Sequence, residues 1–319
     1  MVILYYTLLM LERKQFTAAN SIIVGTAMGL CALSRQWGIF LFPSVFLLFA
    51  FQWVRFPQRR YAVTTTTCIS AVLAVVIGGW FYLSLYSRYG TAIAFNRQSA
   101  GRFSLGNQPV EFYFGLSPGA LFSDPVRPNF PNQFIPIFYS ELWGDYWCYF
   151  TIYARDTRTS EFINGYTLDE IIKRGSIPDW LETNYETASS YLGRVNRISL
   201  FPSLVILVSL ASAAKEVLRR RSYVPLMAHQ RVIRAFLLLA MITTMTGYFW
   251  FLIMYPNIER GDTIKAIYVL QIFPFTAILA GILLEQVKTR SQLFYRLLLC
   301  WLCLTFVHNF FAMLTHYRP

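Results

Sequence analysis

Eight runs of apolar residues divide this chain, at 2–11, 17–33, 38–54, 63–86, 198–214, 232–255, 264–284 and 297–314. The hydrocarbon core of a bilayer asks for about 20 consecutive apolar residues per crossing helix. Most of the runs approach or reach that length. The run at 2–11 has about half of what a crossing needs. It opens at Met1 with no basic flank and no cleavage-site pattern, so it makes a poor signal peptide. It reads instead as the last turns of a helix whose beginning lies upstream.

Charge usage agrees with the runs. Only 14% of the residues are charged and 55% are apolar, with a mean hydropathy of +0.43. A soluble domain carries about a quarter charged residues. The fold class expected is therefore an all-α polytopic membrane protein with about seven to eight transmembrane helices and one large extracytoplasmic loop domain.

The net charge of +12 does not point to nucleic acid, because the basic residues fall in short segments between apolar runs. One set of connections holds Arg13, Lys14, Arg55, Arg59, Arg60, Lys215, Arg219, Arg220, Arg221, Arg231, Arg234, Lys288, Arg290 and Arg296. The short connections on the other side hold Arg35, Arg260, Lys265 and Arg318, a ratio of 14 to 4. The positive-inside rule places the first set in the cytoplasm. Three domains follow: transmembrane helices over 1–87, the first of them partial; an extracytoplasmic loop domain over 88–197; and transmembrane helices over 198–319. The loop has no Asn-x-Ser/Thr site, which leans toward a bacterial plasma membrane over the endoplasmic reticulum.

The loop is rich in aromatics, Asn, Pro and Gly. Proline-containing pieces at 117–118, 124–125 and 128–131 imply ordered turns. Residues 134–150 are too aromatic for a solvated linker and should pack on the protein or lie at the membrane surface. Residues 169–173 and 180–197 read as short amphipathic helices.

Cysteine and histidine offer little chemistry. Cys31, Cys68, Cys300 and Cys303 lie in apolar runs, where cysteine is usually a small packing residue. The pair at 300 and 303 has no histidine or carboxylate neighbour, and Cys148 is alone in the loop. His229, His308 and His316 lack ligand spacing, so packing or surface roles are expected, with no metal site. Walker, Gly-x-Ser-x-Gly and His-Glu-x-x-His signatures are absent.

The most distinctive polar feature is Glu141 and Asp145, within Tyr-Ser-Glu-Leu-Trp-Gly-Asp-Tyr at 139–146. On a helix this spacing puts both carboxylates on one face. Set among Tyr139, Trp143, Tyr146 and Trp147, they would bind a sugar, hold a divalent cation or serve as acid or base. The plainer alternative is that they cap helices or pair with Arg155 or Arg158.

Cations on the outer side need a reason to be there. Arg35 interrupts two apolar runs, and Arg260, Asp262 and Lys265 open another. Binding a lipid phosphate is one reason. Snorkelling to headgroups or an internal pair such as Asp262 with Lys265 is the other. Arg88, Arg97 and Arg102 are weaker candidates for the same work.

These segments resemble a known family. Residues 25–43, with a glycine-rich helix, Leu-Ser-Arg-Gln-Trp-Gly and Phe-Leu-Phe-Pro, resemble the Leu-Thr-Lys-x-x-Gly-x-x-Leu-Leu-Pro segment of GT-C membrane glycosyltransferases. That family includes the dolichyl-phosphate-mannose–protein mannosyltransferases and the aminoarabinose transferases. Arg35 stands where the family usually has lysine. Gly-Asp-Thr-Ile-Lys-Ala-Ile-Tyr at 261–268 is similar to the family's late Lys-x-x-Tyr-x-Leu segment, and 139–146 is similar to an outer loop of bacterial members. The resemblance covers most of the chain through short, degenerate motifs.

It implies an inverting transfer of sugar from a polyprenyl-phosphate donor to an acceptor glycan, lipid or protein on the outer face. Arg35, Lys265, Arg260 and Arg102 would bind the donor phosphate, with Tyr139, Glu141, Trp143 and Asp145 near the acceptor or sugar. Arg35 should then approach Lys265. The family's acidic base lies in its first outer loop, and here the connection around Arg35 carries no carboxylate. Either the base is expected upstream of Met1 or the chain is not an active transferase alone, with Glu141 and Asp145 orienting the acceptor or assisting a metal. The alternatives are a non-catalytic transporter or flippase, or an assembly subunit, for a lipid-linked substrate. Spans nearly free of mid-membrane charge favour interface chemistry over transport.

Overall fold

The computed structural model describes residues 1–13, 15–34, 36–93, 99–123, 125, 132–144, 185–219, 225–258 and 263–314. Among these, every regular element is helical. The α-helices are α1 (Val2–Arg13), α2 (Ala18–Ser34), α3 (Phe42–Arg55), α4 (Arg60–Tyr89), α5 (Val110–Phe114) and α6 (Pro118–Ser123). They continue with α7 (Phe134–Trp143), α8 (Tyr185–Ile198), α9 (Leu200–Leu218), α10 (Pro225–Met254), α11 (Ile272–Arg290) and α12 (Gln292–Leu314).

Six helical stretches are long and apolar enough to cross a membrane: Gln36–Arg55, Pro57–Tyr89, Tyr191–Leu218, Gln230–Met254, Ile272–Arg290 and Gln292–Phe310. Two of the eight sequence runs fall short. α1 has 12 residues, as its short run implied. α2 has 17, which at the α-helical rise is about 25 Å against a hydrocarbon thickness of about 30 Å.

The chain divides into two compact units, Met1–Gln98 with Val208–Phe249 and Gln271–Leu283, and Ser99–Leu207 with Trp250–Leu270 and Leu284–Pro319. In the first, α2 and α4 pack backbone to backbone. A Cβ added to Gly25 would lie 2.7 Å from Ser70 Cα, and one added to Gly29 would lie 2.6 Å from Ile77 Cβ. Gly78, on α4, faces the Gly29 carbonyl in return. Small residues at four-residue spacing let two helices approach this closely in hydrocarbon, where there is no hydrophobic force between them. Hydrogen bonds then cross the seam: Ser21 Oγ donates to Thr66 Oγ1 at 3.0 Å, Ser70 Oγ to the Ser21 carbonyl at 2.9 Å, and the Tyr82 hydroxyl to the Ala32 carbonyl at 2.9 Å. Elsewhere α4 turns large apolar side chains outward, with Val75 and Val76 67% and 68% exposed. A bilayer suits such a face and water does not.

The second unit holds α5 to α8 around Phe112, Ile137, Leu192 and Val195, all buried. The aromatic stretch beginning at 134 packs on the protein: Phe134, Pro136, Ile137, Ser140 and Glu141 of α7 are buried. The amphipathic helix expected over 180–197 is present from 185 onward as α8, and 180–184 lie outside the described residues. The helix expected at 169–173 also lies outside them. Gly193 lets α8 press on α6, since a Cβ there would sit 2.7 Å from the Phe122 carbonyl oxygen.

Replacing Gly29 by Leu should separate α2 from α4 and destabilise the protein by about 1–3 kcal/mol or more, the usual effect of overpacking. Gly281→Ala is the control, because a Cβ there meets nothing within 4 Å. Thermal unfolding in detergent should show a clear loss for the first variant and no loss for the second. Equal melting of both would mean that the glycine seam does not hold the pair.

Candidate functional site

α7 carries the site. Its buried positions 134, 137, 140 and 141 follow helical spacing, so one stripe of the helix faces inward and takes Ser140 and Glu141 with it. The helix stops at Trp143. Gly144 leaves helical geometry with φ −137° and ψ −29°, and a Cβ there would lie 2.8 Å from Val195 of α8. The described helix ends at Trp143, so the expected one-face pairing of Glu141 with Asp145 cannot be followed beyond it. Asp145 itself lies outside the described residues.

The Glu141 carboxylate is 0% exposed. Its Oε2 accepts a hydrogen bond from the backbone N–H of Ala266 at 2.7 Å. Ala266 opens a 3₁₀ turn, Ala266–Val269, and Lys265 is the extended residue before it. An N–H at the start of a helical turn has no partner within the turn, and a carboxylate is the strongest neutralising acceptor for it. Ile264 and Ala266, on either side of Lys265, are fully buried, while Lys265 itself is half-buried. The turn is closed by Tyr268 N–H donating to the Lys265 carbonyl at 3.2 Å. The Tyr268 ring meets Phe251 edge-on at 6.0 Å, and Phe251 stacks on Tyr255 at 5.3 Å.

Ser140, next to Glu141, accepts from Asn196 Nδ2 at 3.0 Å; the same nitrogen donates to the Leu121 carbonyl at 2.9 Å. The Tyr139 hydroxyl donates to the Asn196 carbonyl at 2.9 Å. Burial pushes that hydroxyl above its ordinary value, so it remains a donor. Asn196 Oδ1 and Trp143 Nε1 are buried and have no hydrogen-bond partner among the described residues.

Among the expected site residues, the structure thus gathers Tyr139, Glu141, Trp143 and Lys265 in one unit. Arg102 is exposed, and its carbonyl accepts from Asn107 Nδ2 at 2.9 Å. Arg35 and Arg260 lie outside the described residues, so the expected approach of Arg35 to Lys265 falls there too. Among the described residues, no group of three or more His, Cys, Asp or Glu side chains is placed to hold a metal. His308 is hydrogen-bonded rather than merely packed. Its Nδ1 meets Asn309 Oδ1 at 2.9 Å, and Asn309 Nδ2 donates to Ser199 Oγ at 2.9 Å.

Two features escaped the sequence. Ala100, Asn107 and Gln108 bond to carbonyls at the end of α10; the two polar amides directly before Pro109 were the available signal. The other is an open cavity of about 410 Å³ in the first unit, lined by Met28, Ala32, Phe46, Ala74, Gly78 and Tyr82 among others. The Tyr82 hydroxyl is already engaged by the Ala32 carbonyl, so the wall is apolar in effect.

Glu141→Ala should leave the Ala266 N–H buried without an acceptor, at a cost of about 1–3 kcal/mol. Glu141→Gln keeps an acceptor oxygen and should lose less. Melting temperatures in detergent will rank wild type above Gln above Ala; identical values for the two variants would remove the bond from any structural role. No family model matches the chain, and no curated protein or solved structure matches it either.

Proposed function

We propose that the chain works in sugar transfer from a polyprenyl-phosphate donor to a glycan, lipid or protein acceptor on the extracytoplasmic face of a bacterial plasma membrane. One observation carries this reading. Two of the three segments that carry the family resemblance, 139–146 and 261–268, are joined by the Glu141–Ala266 hydrogen bond across 125 residues of sequence. That bond fixes the residue next to Lys265. A lysine whose backbone is held between buried neighbours presents its ammonium from a fixed base, which suits it to bind a phosphate as a point charge.

In an inverting displacement the acceptor hydroxyl oxygen attacks the anomeric carbon. The bond from that carbon to the phosphate oxygen breaks, and polyprenyl phosphate leaves with the electron pair. The acceptor's proton passes to a carboxylate base. Lys265, with Arg35 and Arg260, would offset the charge gathering on the departing phosphate. Glu141, enclosed and bonded to backbone, is the positioning group for Lys265, and Asp145 remains for the acceptor side.

Titration of the nanodisc-embedded protein with a long-chain polyprenyl phosphate, read by native mass spectrometry, tests the proposal. Lys265→Ala should weaken binding about 10- to 100-fold, the worth of a charge-assisted phosphate contact. Lys265→Arg should keep most of it. Unchanged affinity for the alanine variant would remove Lys265 from the donor site.

A further inference from the structure

We propose that the segment 99–116 is an interfacial membrane anchor, inserting Phe103, Leu105, Val110, Phe114 and Leu116 into the leaflet where the C-terminal end of α10 emerges. The depth of the segment is set by hydrogen bonds. α10 contains the membrane-length stretch Gln230–Met254, and the last carbonyls of a helix have no partner within it. Phe251 O is taken by Tyr255 N–H at 2.8 Å. Leu252 O accepts from Gln108 Nε2 at 2.7 Å, Ile253 O from Asn107 Nδ2 at 3.1 Å, and Met254 O from Ala100 N–H at 2.8 Å. The segment is therefore fastened at the level where a crossing helix ends, which is the boundary between acyl chains and headgroups.

Its outward side chains fit that boundary. Phe103 is 53% exposed, Leu105 62%, Val110 69%, Phe114 78% and Leu116 52%. Val110 and Phe114 share one face of α5 at four-residue spacing, while Phe112 between them is fully buried against Phe134. The Tyr113 hydroxyl donates to the Leu105 carbonyl at 2.9 Å, folding α5 back onto the preceding turn. Large apolar side chains this dense in so short a segment are not a surface for water. Arg102, exposed beside Phe103, supplies a cation for lipid phosphate. Insertion by such a segment reaches about 5–10 Å into the headgroup and acyl boundary. The occupant is lipid rather than a protein partner because the segment is held at the end of a membrane-length helix.

Photolabelling decides it. The protein is placed in nanodiscs of phosphatidylcholine carrying a diazirine on the acyl chain, irradiated, digested and mapped by mass spectrometry. Peptides covering 103–116 should be labelled, as should the exposed α4 face around Val72, Val75 and Val76. The double substitution Val110→Asp and Phe114→Asp should cut labelling of the segment roughly tenfold while leaving α4 labelled. Labelled α4 with an unlabelled segment would overturn the proposal. So would a segment labelled equally in wild type and the double variant.

Discussion

A peptide group removed from water must find its partner inside the chain, and in hydrocarbon no exception is affordable. At the end of α10 this rule organises a large part of the second unit. The carbonyls of Leu252, Ile253 and Met254 accept from Gln108, Asn107 and Ala100, so one helix end fixes the path of residues 99–108. On the same helix, Phe251 stacks on Tyr255 and takes the edge of Tyr268. Tyr268 closes the turn that begins after Lys265. The cap of a crossing helix and the setting of the candidate lysine are thus parts of one arrangement.

The first unit meets the same constraint differently. Its interior helices gain nothing from exchanging lipid contact for each other's apolar side chains, so attraction has to come from close approach and shared hydrogen bonds. Gly25, Gly29 and Gly78 supply the approach, and Ser21, Thr66, Ser70 and Tyr82 supply the bonds. Each bond contributes on the order of 1 kcal/mol or less. Their alignment along one seam matters more than any single member. It also suits α2, whose 17 residues make it the short partner of a 30-residue α4.

How much of this the sequence disclosed follows from what kind of signal each feature leaves. Helices long and apolar enough to cross a membrane are legible because bilayer thickness is a one-dimensional demand on length and polarity, and six of the apolar runs meet that demand among the described residues. α8 was legible from its amphipathic spacing. Tyr139, Glu141, Trp143 and Lys265 stood out because polar or charged groups among aromatics need partners. Their partners were not legible. Glu141 bonds to the backbone N–H of residue 266, a donor that nearly any residue there would provide, so alanine at 266 carries no trace of the contact. The carbonyls of 252–254 are equally anonymous. Val195 of α8 packs where a Cβ on Gly144 would sit, and such a contact, far away in sequence, leaves no mark in local spacing.

The burial of Glu141 restricts what it can contribute on the proposed reading. A general base must reach the proton it removes within hydrogen-bond distance. A carboxylate at 0% exposure whose Oε2 is bonded to a backbone amide is enclosed away from any acceptor arriving from solvent. What such a group does well is hold geometry, because an enclosed hydrogen bond resists displacement more than one open to water. The adjacent polar contacts point the same way: Ser140 and Tyr139 are engaged with Asn196 of α8 rather than directed outward. On the proposed reading the phosphate contact falls to the half-buried Lys265, and α7 is the element against which the Lys265 turn is set.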